Sequence, residues 1–290
     1  TKVTTVYRQQ NKAYKQLVTD VRDGKIAKGF EALDQLGNLR EFTSSREVYS
    51  EIADTYADLT KRNQSAMIIT PTHAESDFVT NELRTKLKAN GSLSKKESEV
   101  QILKSGKQTI AEKTNYSTYQ AGQIIQFEQN CKGGFMRGQR VTVLEVRNSK
   151  VYVQHGSERK ELPLQLADRF EIYTARTISL AAGDCIRLTH SGRSKEGKQL
   201  NNGATFTVKR VLASGDIRLA NGWTLPAEFK HLKYGYAITT QASQGAKAKH
   251  VLIAQTTNSR GAIDNKSLYV SLSRGTHHGI IYTDNMQEIM

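Results

Sequence analysis

Two polar segments near the carboxyl-terminal end carry the residue types that could do chemistry. The first, Tyr236-Ala-Ile-Thr-Thr-Gln-Ala-Ser-Gln-Gly245, offers backbone amides, hydroxyl groups and glutamine amides. The second, Tyr269-Val-Ser-Leu-Ser-Arg-Gly275, offers the guanidinium of Arg274. Phosphate oxygens accept hydrogen bonds from all of these groups. We therefore predict that both segments follow short apolar strands and bind phosphate. The alternatives are a polar loop and a surface arginine at a helix start.

Tyr7-Arg8-Gln9 follows the β-branched run from Val3 to Tyr7. An arginine at the carboxyl end of a strand points to the crevice where ligands of open α/β sheets bind. Arg8 could bind a phosphate there, and Tyr7 could stack on a base. The alternative is an ordinary strand–helix junction.

Thr70-Pro71-Thr72-His73 also follows an apolar strand, Ala66 to Ile69, and opens a helix. Hydroxyl groups and free helix amides suit the phosphates of a nucleic acid. Simple helix capping by Thr72 is the alternative.

Aromatic and histidine side chains provide weaker signals. Trp223 and Phe135 lie in Gly-rich turns, where they could stack on bases, whereas the spacing of Phe127 and Phe206 is typical of core residues. The histidines lack partners at ligand spacing, so we predict no protein metal site.

The net charge of +14, from 42 Lys and Arg against 28 Asp and Glu, favours a nucleic acid as partner. The segment 116–235 is the more basic part per residue, with 18 Lys and Arg against 10 Asp and Glu. Two cysteines exclude a disulfide framework, which favours the cytoplasm. No apolar run is long enough for a membrane span, so we expect no membrane association.

The pattern along the chain predicts an α/β fold interrupted by a β-rich insertion. Residues 1–115 and 236–290 alternate strands and helices, which indicates a parallel sheet. Residues 116–235 contain two copies of a repeat, and the copies begin at Ala121-Gly122 and Ala182-Gly183. Each copy has about five short strands with Gly turns, a pattern typical of a small SH3-like barrel. We expect the two barrels to be inserted into one sheet formed by both chain ends.

Taken in order, these segments resemble the motifs of superfamily 1 helicases. Tyr7-Arg8-Gln9 resembles motif IV, Thr70-Pro71-Thr72 a strand-exit motif that grips single-stranded DNA, Thr239 to Gly245 motif V, and Tyr269 to Arg274 motif VI. The chain is similar to the second RecA-like domain (2A) and its 2B insertion. The RecD-like helicase part of MobF-type conjugative relaxases resembles it most.

This resemblance implies a role for each motif residue. Arg8 and Arg274 would act on the γ-phosphate, and Tyr7, Gln9, Gln244 and Gly245 would border the nucleotide. DNA would contact the remaining candidates, which are Thr70, Pro71, Thr72, His73, Thr240, Ser243 and Trp223.

The chain has no Gly-x-x-x-x-Gly-Lys-Ser/Thr motif, the loop that cradles phosphate and helps to hold magnesium. We therefore expect it to be inactive by itself, with ATP and Mg²⁺ bound only in a full helicase that supplies a first motor domain (1A/1B). A relaxase domain of the same polypeptide would be a further partner.

The predicted function is thus the carboxyl-terminal half of a conjugative DNA helicase that binds single-stranded DNA. One alternative is a non-hydrolysing single-strand-binding module derived from a helicase, which Lys247 and Lys249 favour because they depart from the family pattern. A second alternative is a protein-interaction module, because SH3-like barrels often bind peptides.

Overall fold

The computed structural model describes residues 9–259 and 264–289. The amino-terminal part of the chain forms α1 (Lys12–Arg22), α2 (Ile26–Gln35), β1 (Leu39–Glu41), α3 (Ser45–Lys61), β2 (Ala66–Thr70) and α4 (His73–Ala89). The middle forms β3 (Glu97–Ser105), α5 (Ile110–Thr114), β4 (Ile124–Phe127), β5 (Arg140–Arg147), β6 (Lys150–His155), β7 (Glu158–Glu161), β8 (Phe170–Ala181), β9 (Cys185–Leu188), β10 (Gly192–Arg193), β11 (Gln199–Leu200), β12 (Thr205–Val211), β13 (Ile217–Leu219), β14 (Thr224–Leu225) and β15 (Leu232–Tyr234). The carboxyl-terminal part forms β16 (Ala237–Thr239), β17 (Ala248–Gln255), α6 (Asn265–Leu272), β18 (Gly275–Thr283) and α7 (Met286–Ile289). The strand expected from Val3 to Tyr7 lies outside the described residues.

Strands from both chain ends form one parallel sheet in the order β1-β18-β17-β2-β16. Leu252 at the centre of β17 lies in register with Ile68 of β2 and Ile280 of β18. The central strands are almost continuously apolar, as expected where both faces of a sheet are covered. The predicted α/β class with a parallel sheet is confirmed, and the arrangement fits a RecA-like fold.

Helices cover both faces of this parallel sheet. Ile69 and Ile253 share a core with side chains of α1, α2 and α6. Their chain neighbours Ile68 and Leu252 share the opposite core with side chains of α3 and α4. Because successive side chains of a strand point to opposite faces, one short apolar strand serves both cores.

The second motif segment, which we expected to follow a short apolar strand, instead includes the end of helix α6, from Tyr269 to Leu272. Asp264 caps this helix by accepting from the amide of Ser267, whose side chain in turn bonds the Asp264 amide. A short apolar run does not distinguish a strand from a buried helix by periodicity, so the cap is the deciding signal.

The middle of the chain forms two larger antiparallel sheets and a small β10–β11 pair. The first antiparallel sheet has the order β3-β8-β4-β5-β6-β7, and the second has the order β14-β13-β12-β9-β15. Among the described strands no pairing joins the edges of either sheet, so the expected closed SH3-like barrels are not confirmed. Each sheet nevertheless covers a core of its own.

Strand β3 belongs to the antiparallel part of the molecule. It pairs with β8 from Glu97 opposite Ala181 to Ser105 opposite Tyr173. The antiparallel part therefore begins before residue 116, where the sequence placed the first boundary. The boundary at 235/236 falls between β15 and β16.

A buried ionic cluster, the inter-domain joint, ties α4 to the antiparallel sheets through Arg84, Asp184, Glu97 and Tyr236. Arg84 donates to both carboxylate oxygens of Asp184 at 2.9 and 3.0 Å and to Glu97 at 2.6 Å. The Tyr236 hydroxyl donates to Asp184 at 2.9 Å. Asp184 is fully buried, so these contacts fix the start of β9 against α4.

No helix within the described residues has both the length and the apolar character needed to cross a membrane.

Candidate nucleic-acid interface

A cleft of about 250 Å³ opens where the carboxyl end of the parallel sheet meets the second antiparallel sheet. Its basic side chains are Lys107, Arg187 and Lys233, and His73 lies beside them. The opposite wall comes from Thr239 and the turn that follows β16, and includes Gln241 and Ala242. We call this surface the basic cleft. Its shape and its hydrogen-bond donors suit an extended anionic chain.

The positive charges of the basic cleft crowd one another. Lys233 lies opposite Arg187 in the β15–β9 pair, and like charges in that position destabilise a strand pair. Burial lowers the pKa of Lys233, and the charges of Arg187 and Lys107 lower it further. Burial also lowers the pKa of Arg187. An anion bound between these groups would relieve this repulsion and raise the pKa of Lys233 and of Arg187 again.

His73 stands at the first turn of α4 with its Nε2 atom 2.8 Å from Nζ of Lys107. A lysine ammonium only donates, so His73 accepts and is neutral in this contact. Burial and the charges of Lys107 and Lys233 lower its pKa accordingly. Lys107 has a φ of 55°, in the left-handed region that is uncommon for residues other than glycine. Such backbone outliers cluster at functional sites.

The hydroxyl groups assigned to DNA lie beside the basic cleft, and two of them point inward. The Thr70 hydroxyl is buried, donates to the carbonyl of Thr72 at 3.0 Å and lies 2.6 Å from the Ser76 hydroxyl. The Ser243 hydroxyl donates to the carbonyl of Thr240 at 2.6 Å. In this conformation both hydroxyl groups stabilise turns.

The remaining residues of these two turns are more accessible. Thr72 caps α4 by accepting from the Glu75 amide at 3.2 Å, and Pro71 is half-buried. Thr240 is also half-buried, and its hydroxyl lies 3.3 Å from that of Ser271. That DNA contacts these two turns stays a prediction for each of their five candidate residues, Thr70, Pro71, Thr72, Thr240 and Ser243.

The other group of predicted residues gathers at the opposite, amino-terminal edge of the parallel sheet. The Gln9 amide donates to the carbonyl of Ser273 at 3.2 Å and to that of Gly275 at 3.1 Å, and so brackets Arg274. The Arg274 guanidinium donates to the carbonyl of Val270 at 3.0 Å and to the Ser273 hydroxyl at 2.8 Å. Gln9 is buried, and its Oε1 atom has no hydrogen-bond partner among the described residues.

Gln244 and Gly245 are exposed in the loop that leads to this edge. Three residues further on, the Ala248 amide donates to the carbonyl of Arg274 at 3.2 Å, which joins the two motif segments. Gly245 has a φ of 86°, a conformation that favours glycine. Tyr7 and Arg8 lie outside the described residues, so their roles stay predictions.

The two aromatic candidates for base stacking differ in exposure. Trp223 is half-buried beside Phe206, with ring centroids 5.9 Å apart, and packs against the core of the second antiparallel sheet. Phe135 was wrongly placed on the surface: it is only 2% exposed and stacks on Phe127 at 4.5 Å. A Gly-rich turn folds the Phe135 ring inward, which the turn composition alone does not reveal.

The sequence motifs missed the three basic residues of the cleft. Arg187 and Lys233 lie in short strands whose side chains alternate between the core and the surface. This pattern alone does not distinguish a binding residue from an ordinary surface residue. Only the register of the β15–β9 pair brings them together. For Arg187 and Lys233 the signal available in the sequence was the higher basic content of segment 116–235, and Lys107 lies outside that segment. Within the described residues, no group of three or more His, Cys, Asp or Glu side chains could hold a metal ion.

Two curated proteins match part of the chain, and both are the multifunctional conjugation protein TraI of Escherichia coli. The chain is 33% identical over 132 residues to the multifunctional conjugation protein TraI of Escherichia coli K12, covering 42% of this chain and 7% of TraI. The resemblance to conjugative relaxases indicated by the motifs is confirmed by this match. The chain spans less than a tenth of that relative. No protein-family model matches the chain.

Solved structures of helicases align along nearly the whole chain. Pif1 helicase from Bacteroides, in complex with ADP-AlF3 and single-stranded DNA, aligns with 99% of this chain and 53% of its own, at 15% identity and a TM-score of 0.35. Pif1 helicase from Candida albicans aligns with 98% of this chain and 57% of its own, at 12% identity and a TM-score of 0.36. The chain covers about half of each helicase.

Proposed function

We propose that this chain is the carboxyl-terminal half of a conjugative DNA helicase, and that it binds single-stranded DNA in the basic cleft. The observation that carries the proposal is the crowding of Lys107, Arg187 and Lys233 around one cleft at the carboxyl end of a parallel sheet. Mutually repelling cations, with the pKa of Lys233 and of Arg187 lowered by burial, favour a bound polyanion. The similarity to a conjugation protein supports DNA transfer as the setting.

In this proposal one edge of the parallel sheet binds DNA and the other contacts the nucleotide. The carboxyl edge and the second antiparallel sheet hold the DNA backbone. The amino edge presents Arg274, held by Gln9, to a nucleotide bound on a preceding 1A/1B motor domain. Arg8 would join it there. ATP and Mg²⁺ would be held mainly by that domain, because this chain lacks the phosphate-cradling loop.

The test of DNA binding is fluorescence anisotropy of the full chain with a labelled oligo-dT at several salt concentrations. We expect affinity to fall as salt rises, with a slope that decreases by about one for each cleft cation replaced. Lys233→Gln and Arg187→Gln should each show this decrease. Lys150→Gln is the matched control, because Lys150 forms an exposed ion pair with Glu161 outside the cleft. Affinity that does not change with salt would contradict the proposal.

Arg274→Ala tests the division between the edges. We expect it to leave oligo-dT affinity within about twofold, because Arg274 lies at the opposite edge from the cleft. A tenfold loss, about 1.4 kcal/mol, would contradict this placement.

The same variant addresses the main alternative, a non-hydrolysing single-strand-binding module. In a polypeptide that contains the first motor domain, we expect DNA-stimulated ATP hydrolysis that Arg274→Ala abolishes. DNA binding without stimulated hydrolysis would instead favour the non-hydrolysing module, consistent with Lys247 and Lys249 after motif V.

A further inference from the structure

An aromatic side chain on α4 stands open to solvent beside the carboxyl edge of the parallel sheet. Phe78 is 55% exposed, whereas Tyr49 of α3 beneath it is 5% exposed. Their rings are nearly parallel, with an interplanar angle of 3° and centroids 5.9 Å apart, an offset stack. Tyr49 therefore packs against part of the Phe78 ring, and more than half of the Phe78 side chain stays accessible to a flat ligand.

Buried hydrogen bonds hold this stack in place. The Glu75 carboxylate is 1% exposed and accepts from the Thr256 hydroxyl at 2.6 Å and from the Tyr49 hydroxyl at 3.3 Å. The Thr72 hydroxyl donates to its other oxygen at 3.2 Å. Glu75 thus links α3, α4 and the turns that follow β2 and β17. The Tyr49 ring has little freedom to move, which preorganises the platform above it.

The surroundings of Phe78 are polar. Its exposed neighbours on α4 include Asp77 and Asn81, and the turn after β17 presents Thr257 and Asn258. The core of a protein–protein interface is a contiguous apolar patch, whereas these four described neighbours of Phe78 are polar. A single aromatic ring on a polar surface is instead typical of a stacking platform for nucleobases.

The platform and the basic cleft lie on different sides of the first turns of α4. His73 begins α4 inside the cleft, and Phe78 follows five residues later, about 7.5 Å along the helix axis and about 140° around it, on the side that faces α3. A single strand that crosses the start of α4 can therefore contact both. We propose that Phe78, backed by Tyr49, is a stacking site for a nucleobase of the single strand whose phosphates occupy the basic cleft. This inference rests on the proposed single-strand binding. It adds a stacking contact that depends neither on charge nor on which base is bound.

The test compares Phe78→Ala, Phe78→Trp and the unchanged full chain for binding to oligo-dT by fluorescence anisotropy. We expect Phe78→Ala to weaken binding about fivefold or more, and Phe78→Trp to retain it, because stacking needs only an aromatic face. The salt slope should not change, since no cation is lost. On an oligonucleotide of abasic sites, Phe78→Ala and the unchanged chain should bind alike. Leu36→Ala is the control, an exposed apolar truncation near the amino-terminal edge.

Equal oligo-dT affinity of Phe78→Ala and the unchanged chain would overturn the stacking site. If Lys233→Gln still weakened binding in that experiment, the basic cleft would stand without the platform. Failure of the unchanged chain to bind oligo-dT at all would overturn both. An equal loss for Phe78→Ala on normal and abasic strands would assign Phe78 to another role, such as contact with a protein domain.

Discussion

Lys233 and Arg187 occupy positions that oppose stability and favour binding. As a like-charged cross-strand pair they destabilise the β15–β9 contact, and burial adds to this cost. Such conflicts are expected where selection acts on a binding surface more strongly than on stability.

Replacing Lys233 by glutamine should therefore separate the two properties. We expect Lys233→Gln to raise the free energy of unfolding by about 0.5 kcal/mol, from relief of the like-charge pair, and to lower oligo-dT affinity. Chemical denaturation and anisotropy on the same sample measure both quantities. Reduced stability together with unchanged affinity would show that Lys233 serves the fold and not the cleft.

Glu75 should give the molecule a specific dependence of stability on pH. Burial raises its pKa from the usual value of about 4.5, although the surrounding hydroxyl groups oppose the shift. A raised folded-state pKa makes a stabilising contribution that is complete below the unfolded value and is lost as pH rises through the folded value. The free energy of unfolding of the unchanged chain, relative to Glu75→Gln, should fall as pH rises above about 4.5.

Urea titrations at several pH values measure this difference. Glu112→Gln is the control in these titrations, because its effect should depend on pH in the opposite direction. The Thr109 amide and hydroxyl donate to the Glu112 carboxylate and lower its pKa, so its contribution is present above the unfolded value and lost as pH falls. If the Glu75→Gln and Glu112→Gln differences changed with pH in the same direction, the environment described for Glu75 would be wrong.

At the scale of elements, the inter-domain joint is the main polar link between α4 and β9. Asp184 is fully buried, so loss of Arg84 would leave an uncompensated carboxylate. We expect Arg84→Ala to lower the free energy of unfolding by about 3 kcal/mol. Lys150→Ala, which breaks the exposed pair with Glu161, should change it by less than about 1 kcal/mol. Comparable losses in the two variants, measured by denaturation, would rule out a structural role for the joint.

The elements also show what the sequence could and could not predict. Helices α1, α3 and α4 and the apolar strands β2 and β17 follow from periodicity and caps. The end of helix α6 was mistaken for a strand because the run Tyr-Val-Ser-Leu from 269 to 272 is too short to distinguish the two periods. The basic cleft could not be predicted from spacing, because Arg187 and Lys107 meet only when two sheets pack together. The motifs did lead to Gln9 and Arg274, which lie together at one edge, where Gln9 donates to the carbonyls on either side of Arg274.

At the scale of the whole molecule, strand β3 decides which segment can fold independently. It contributes Ile102 to the core of the second antiparallel sheet and pairs with β8 along its length. We expect a segment 94–235 to unfold cooperatively in thermal denaturation followed by circular dichroism. The segment 116–235 should melt at a lower temperature, because it lacks β3. Equal melting temperatures would place the boundary at residue 116 after all.

The first and last strands of the parallel sheet lie side by side although they come from opposite ends of the chain. Leu39 of β1 pairs with Ile281 of β18, and Ile68 of β2 pairs with Ala237 of β16. Contacts of such high sequence separation form slowly, because a long loop must close before they contribute any stability. During synthesis the antiparallel sheets are complete before β16 emerges. Until then β1 and β2 lack their partners β18 and β16. The nascent chain is then most exposed to aggregation and to chaperones at that stage.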